Sequence, residues 1–107
     1  MISDNTEFVP FAWNFLNEFR DLDNAIKGTG NTKDIVYISD WLSQPGLDPI
    51  HNCVVAKVNN DLIGYLIVIP ELPINRAVFE GGILPGKDAE SVWGKLLEWG
   101  IDRGKTI

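Results

Sequence analysis

The sequence predicts an α/β (α+β) fold built from two N-terminal helices, a three-stranded antiparallel meander and a long C-terminal helix on one face of the sheet. Three observations predict it. Apolar residues recur at steps of three and four from Phe11 to Ile26 and again from Ala89 to Ile101, the period of a helix with one buried face. Two apolar runs, Cys53 to Val58 and Leu62 to Ile69, flank Asn59-Asn60-Asp61 and read as an antiparallel hairpin. A third run, Arg76 to Leu84, follows the short connection Pro70-Glu71-Leu72-Pro73 and most simply pairs back beside the second.

Taken in order, Pro10 suits the first turn of a helix, where its missing N–H costs nothing. Phe11, Phe15, Leu16, Phe19, Leu22 and Ile26 then line one side of that helix up to Lys27. Gly28-Thr29-Gly30 ends it. Thr32 caps a second helix running through Leu42, with Ile35, Ile38, Trp41 and Leu42 on its buried side and Pro45-Gly46 closing it. In the third strand, Gly81-Gly82 permits a bulge or a close backbone approach. Pro85-Gly86 turns the chain. Asp88 is the expected N-cap of the last helix, which extends to Arg103. That helix covers one face of the sheet, and the first two cover the other or cap an edge. Gly104-Lys105-Thr106-Ile107 reads as a turn entering a further strand across a right-handed crossover. The expectation is a single domain over residues 1–107, or the N-terminal fragment of one.

Composition narrows the function. With 107 residues, 45% of them hydrophobic, the chain is at most one small globular domain. A net charge of -6 and no basic patch argue against a nucleic-acid partner. The single Cys53 excludes an internal disulfide and a cysteine metal cluster, and its apolar surroundings read as those of a buried thiol in a reducing compartment. His51 is the only histidine, so no metal site is expected. No apolar run approaches the roughly 20 residues of a membrane span, and the N-terminus lacks a signal pattern. A cytoplasmic protein without membrane attachment is the expectation.

The chemistry concentrates where the third strand turns into the last helix. A tight turn into a helix N-terminus gathers unpaired amide N–H groups and a positive dipole end, which suits an anion. Here the first-turn residues are Lys87, Asp88, Ala89, Glu90 and Ser91. Two carboxylates therefore stand where an anion would sit.

The order of elements resembles the GNAT N-acetyltransferase superfamily over nearly the whole chain. It comprises two helices, a hairpin carrying "VVAKVNNDLIGYLIVIPE", a third strand and the helix "LPGKDAESVWGKLLEWGIDRGK". Asp61-Leu62-Ile63-Gly64-Tyr65 matches the apolar-Ile/Val-Gly-Tyr/Phe pattern that follows the family's hairpin turn. Pro85 and Leu96-Leu97 fall at the spacing of its acetyl-CoA motif. The resemblance implies transfer of an acetyl group from acetyl-CoA to a small-molecule or peptide amine. It also implies pantetheine pairing on the strand edge at Ile83 and Leu84, with pyrophosphate held by the amides of Asp88, Ala89, Glu90, Ser91, Val92 and Trp93. The sequence departs from that motif, because Asp88 stands where Arg or Gln is expected and Ser91 and Trp93 stand where Gly or Ala should be. Carboxylates beside a pyrophosphate cost about 1 kcal/mol per pair even in water. Weak or absent acetyl-CoA binding is therefore expected, similar to the N-terminal copies of tandem GNAT proteins. The alternative is a non-catalytic GNAT-like module packed on a catalytic C-terminal domain of the same protein or on a second subunit. A third reading is an unrelated small α+β binding domain.

Individual side chains carry paired readings. Glu80 is the candidate general base, since some GNAT enzymes place a carboxylate in this region; otherwise it faces solvent or pairs with Arg76. Tyr65 is a cleft donor or a half-buried strand residue. Gly104-Lys105-Thr106 is not a phosphate loop, because it follows a helix instead of opening one. Trp99 falls off the main apolar stripe of its helix, which marks it as a surface anchor.

Overall fold

A computed structural model of the chain describes residues 6–28, 34–71, 76–86 and 88–105. Its elements in order are β1 (Thr6–Pro10), a 3₁₀ turn (Trp13–Phe15), α1 (Leu16–Lys27), α2 (Ile35–Leu42), α3 (Pro49–Asn52), β2 (Cys53–Val58), β3 (Asp61–Glu71), β4 (Arg76–Ile83) and α4 (Ala89–Gly104). The sheet is antiparallel throughout, in the order β1-β2-β3-β4. The predicted meander is β2 to β4, and β1 adds a fourth strand beside β2.

Pro10 ends this extra strand and does not open a helix. Phe11 sends its N–H to Cys53 O at 3.0 Å. By the alternation of an antiparallel ladder, Pro10 therefore turns its missing donor away from β2, where no ladder bond is lost. Helix α1 starts only at Leu16. Helix α2 is capped by Asp34, whose carboxylate accepts from Tyr37 N at 2.8 Å. The expected cap Thr32 lies outside the described residues, as do Leu72 and Pro73 of the expected connection and Thr106 and Ile107 of the expected further strand. Gly104, read in sequence as the start of that turn, belongs to α4.

The hairpin turn forms as its residues dictate. Asn59 and Asn60 have φ of 51° and 73°, the left-handed pair that a two-residue turn demands and that Asn tolerates.

Both faces of the sheet are covered, which explains why β2 and β3 read as continuous apolar runs without alternation. Cys53, Val55, Tyr65 and Ile67 face one way and pack with Phe11, Phe19, Leu22, Ile38 and Leu42. Val54, Ala56 and Leu66 face the other way and pack with Val92 and Leu96 of α4. Each fully buried Val, Leu, Ile or Phe among them stabilises the fold by about 1.5–3 kcal/mol. Glycine sets how closely α1 lies on the sheet, since a Cβ at Gly82 would meet Ile26 Cγ2 at 2.5 Å.

Candidate functional site

One strand, β4, serves two places at once. At its C-terminal end, Leu84 donates its N–H to Ile63 O at 2.8 Å, so the alternation aims the backbone groups of Ile83 away from β3. Among the described residues β4 has no partner on that outer side. The side chains split as they should on a two-faced sheet. Ile83 packs on the α4 side and Leu84 on the α1 side. The chain then turns at Pro85-Gly86 and enters α4, with Ala89 N on Gly86 O at 3.2 Å and Val92 N on Asp88 O at 2.9 Å. Asp88 occupies the N-cap position, but its side chain makes no capping hydrogen bond. The Val92 side chain is fully buried and Trp93 packs against the same core, while Glu90 is exposed. At the helix start the negative charge of Asp88 and Glu90 therefore stands unopposed by any arginine of the expected motif.

Four residues earlier on the same strand, Glu80 lies on the α1 side. Its Oε1 is 2.8 Å from Lys27 Nζ, which also approaches Asp23 Oδ1 at 3.3 Å. Asp23 is 1% exposed and accepts a hydrogen bond from Tyr65 Oη at 2.6 Å. The four side chains thus form one polar chain, Tyr65–Asp23–Lys27–Glu80, running from under the sheet to the surface. It borders a cleft of about 140 Å³ lined by Asp23, Lys27, Tyr37, Ile38, Trp41 and Glu80.

The electrostatics follow from these contacts. Burial alone would lower the Lys27 pKa, but the hydrogen bond to Glu80 and the charges of Asp23 and Glu80 outweigh it and hold the ammonium above its ordinary 10.5. Burial, reinforced by the hydrogen bond to Asp23, pushes the Tyr65 phenol far above 10.0, so it remains a donor. Burial likewise pushes the Cys53 thiol up from 9.0, which keeps it inert.

Of the residues singled out in sequence, the structure brings Glu80 to the cleft through Lys27, a partner 53 positions earlier. Tyr65 is fully buried, not half buried, and its hydroxyl serves Asp23. His51 is exposed and pairs with Asp48 at 3.0 Å. Sequence reasoning missed Asp23, Lys27 and Tyr37. A signal existed: Asp23 stands within the apolar stripe of Phe19, Leu22 and Ile26, one turn before Lys27, and an acid in such a stripe needs a partner.

An antiparallel sheet with α1 and α2 on one face, and with its last strand feeding a helix on the other, defines a GNAT-like fold, that of the acyl-CoA N-acyltransferases. Two solved structures share it. A candidate acetyltransferase from Pyrococcus horikoshii superposes with a TM-score of 0.67 at 12% identity, covering 95% of this chain and 37% of that one. The ribosomal-protein-alanine N-acetyltransferase from Brucella melitensis biovar Abortus 2308 superposes with a TM-score of 0.58 at 16% identity, covering 92% of this chain and 74% of that one. The chain thus spans little more than a third of the first. No family model matches the sequence, and no curated protein matches it either. Among the described residues no helix is long and apolar enough to cross a membrane.

Proposed function

We propose that this chain is the N-terminal portion of a cytoplasmic GNAT-type N-acetyltransferase, with a worn acetyl-CoA motif. The observation that carries the reading is the double duty of β4. The strand holds Glu80 in a cleft while its unpaired edge runs into the N-terminus of α4. Acetyl-CoA, when bound, supplies the acetyl thioester for transfer to an amine. The backbone of Ile83 at the open edge fits the amide-bearing arm of such a cofactor. The first turn of α4 does not fit its pyrophosphate, because Asp88 and Glu90 face it with the wrong sign. The chain's own contribution is therefore the acceptor side. Glu80, once released from Lys27, holds the incoming amine and takes its proton. The rest of the transferase site belongs to a C-terminal domain of the same protein or to a second subunit.

Isothermal titration tests the cofactor half. The chain binds acetyl-CoA more weakly than about 100 μM, and the double variant Asp88→Asn, Glu90→Gln binds about thirtyfold more tightly, since each of the two carboxylates removed is worth about 1 kcal/mol. Micromolar binding by the unaltered chain overturns the worn motif. A Glu80→Gln variant that keeps full activity in the assembled enzyme removes its catalytic role. A non-catalytic module is the second reading, favoured by the same acidic first turn. It gains if the neutralised variant also ignores acetyl-CoA.

A further inference from the structure

A second groove lies at the other end of the sheet, away from β4. Helix α4 lies over β2, β3 and β4. Phe8 of β1 pairs with Ala56 and so shares the α4 face, but it is left 38% exposed. The result is a groove of about 390 Å³ between β1, α3 and α4, within the size range of small-molecule sites. Its floor and walls are apolar, with Phe8, Ile50, Val54 and Trp99 prominent among them. Ile50 is 48% exposed and, with Phe8, continues the apolar surface of the groove out to solvent. Trp99, off the main stripe of its helix, rests half-buried against the α4-side core and offers its remaining surface here.

The charged groups lining this groove are Lys95 and His51, both potential cations, in a chain whose net charge is -6. The carboxylates beside them are Glu98, 3.5 Å from Lys95, and Asp48, 3.0 Å from His51 Nδ1. Neither lines the groove. The Lys95–Glu98 pair is long and solvent-exposed on both sides, a kind of ion pair worth little. A ligand carboxylate therefore exchanges for Glu98 with small loss. His51 is already engaged by Asp48, so one head group is served, not two. A ligand cation meets Lys95 at like charge. A polyphosphate finds a single exposed ammonium in an acidic molecule.

We propose that this groove binds an amphiphilic carboxylate, a single anionic head on an unbranched alkyl or aryl body. The head sits on Lys95 Nζ, and the body lies along Phe8, Ile50 and Trp99. The site is separate from the Glu80 cleft and from the turn at Pro85-Gly86, so it stands whether or not the chain takes part in acetyl transfer.

Octanoate is the probe, titrated into the folded chain while amide shifts and tryptophan fluorescence are followed, with octan-1-ol and octylammonium as matched controls. Octanoate is expected to saturate, with shifts centred on Phe8, Ile50 and Trp99, and octylammonium to bind about fivefold more weakly. Lys95→Gln, a change at an exposed position that leaves the core untouched, is expected to weaken octanoate about threefold, the worth of one exposed charge pair, while octan-1-ol is unaffected. Equal binding of octanoate and octan-1-ol, or no effect of Lys95→Gln, overturns the proposal. So does self-association that shields Trp99 without octanoate binding, which would assign the groove to a second copy of the chain.

Discussion

Asp23 tolerates little change, because a carboxylate at 1% exposure persists only while its partners do. Replacing it by Ala strands the Tyr65 hydroxyl in the core and takes from Lys27 one of its two carboxylates. Asp23→Ala is expected to destabilise by about 3 kcal/mol, whereas Tyr65→Phe, which leaves the Asp23–Lys27 pair, loses about 1 kcal/mol. Urea unfolding of both and of the double variant measures their coupling. Additive effects would mean that the hydrogen bond at 2.6 Å carries no weight of its own. The same residue shows how far the site was legible. Glu80 was readable as a candidate only through the family resemblance, which places a carboxylate in this region of the third strand. Its partner was not, because local spacing offers Arg76 and says nothing about a lysine that folding brings in from α1. Asp23 itself was visible as an acid in an apolar stripe, yet only tertiary structure supplies the tyrosine that justifies it.

Among the elements, α4 shows how one residue type plays opposite parts. Gly94 is exposed in mid-helix with open space where a Cβ would go, so Gly94→Ala adds helix propensity and is expected to stabilise by about 0.5–1 kcal/mol. Gly100 is buried, and a Cβ there would run into Leu66 Cδ2 and approach the Phe79 ring. Gly100→Ala is therefore expected to destabilise by about 1–2 kcal/mol despite the same propensity gain, because overpacking against a fully buried leucine dominates. Thermal melts of the two variants should shift in opposite directions. A parallel shift would mean that α4 does not lie where Gly100 allows it to lie. The three long helices and the hairpin were legible because their signals are local: a repeat of three and four, two apolar runs, two asparagines suited to positive φ; the four-residue α3 is too short to show such a repeat. Strand β1 was not, since its five residues gain their structure from pairing with β2 some fifty positions later. Pro10 serves a helix start and a sheet edge equally well.

At the scale of the whole molecule, the buried proton donors make stability fall in alkali. Cys53 and Tyr65 both keep their protons in the folded chain well past the ordinary 9.0 and 10.0 at which the unfolded chain releases them. Above those values the unfolded state binds fewer protons than the folded one, so each further pH unit favours unfolding. The stabilisation is complete below about pH 9 and declines as pH rises. Lys27, whose ammonium is also held above its ordinary value, acts in the same direction. Between about pH 9 and pH 11 the two core groups together are expected to remove roughly 3–4 kcal/mol, at up to 1.36 kcal/mol per unit for each group. Urea midpoints across that range read the decline. Cys53→Ala should lower the slope over the whole range and Tyr65→Phe chiefly above about pH 10, which separates the two groups from the general repulsion of a chain already at net charge -6. A midpoint constant from pH 8 to pH 11 would mean that these groups reach solvent in the folded state. The two-faced packing that encloses them, α1 and α2 over one side of the sheet and α4 over the other, would then have to be more open than their burial indicates.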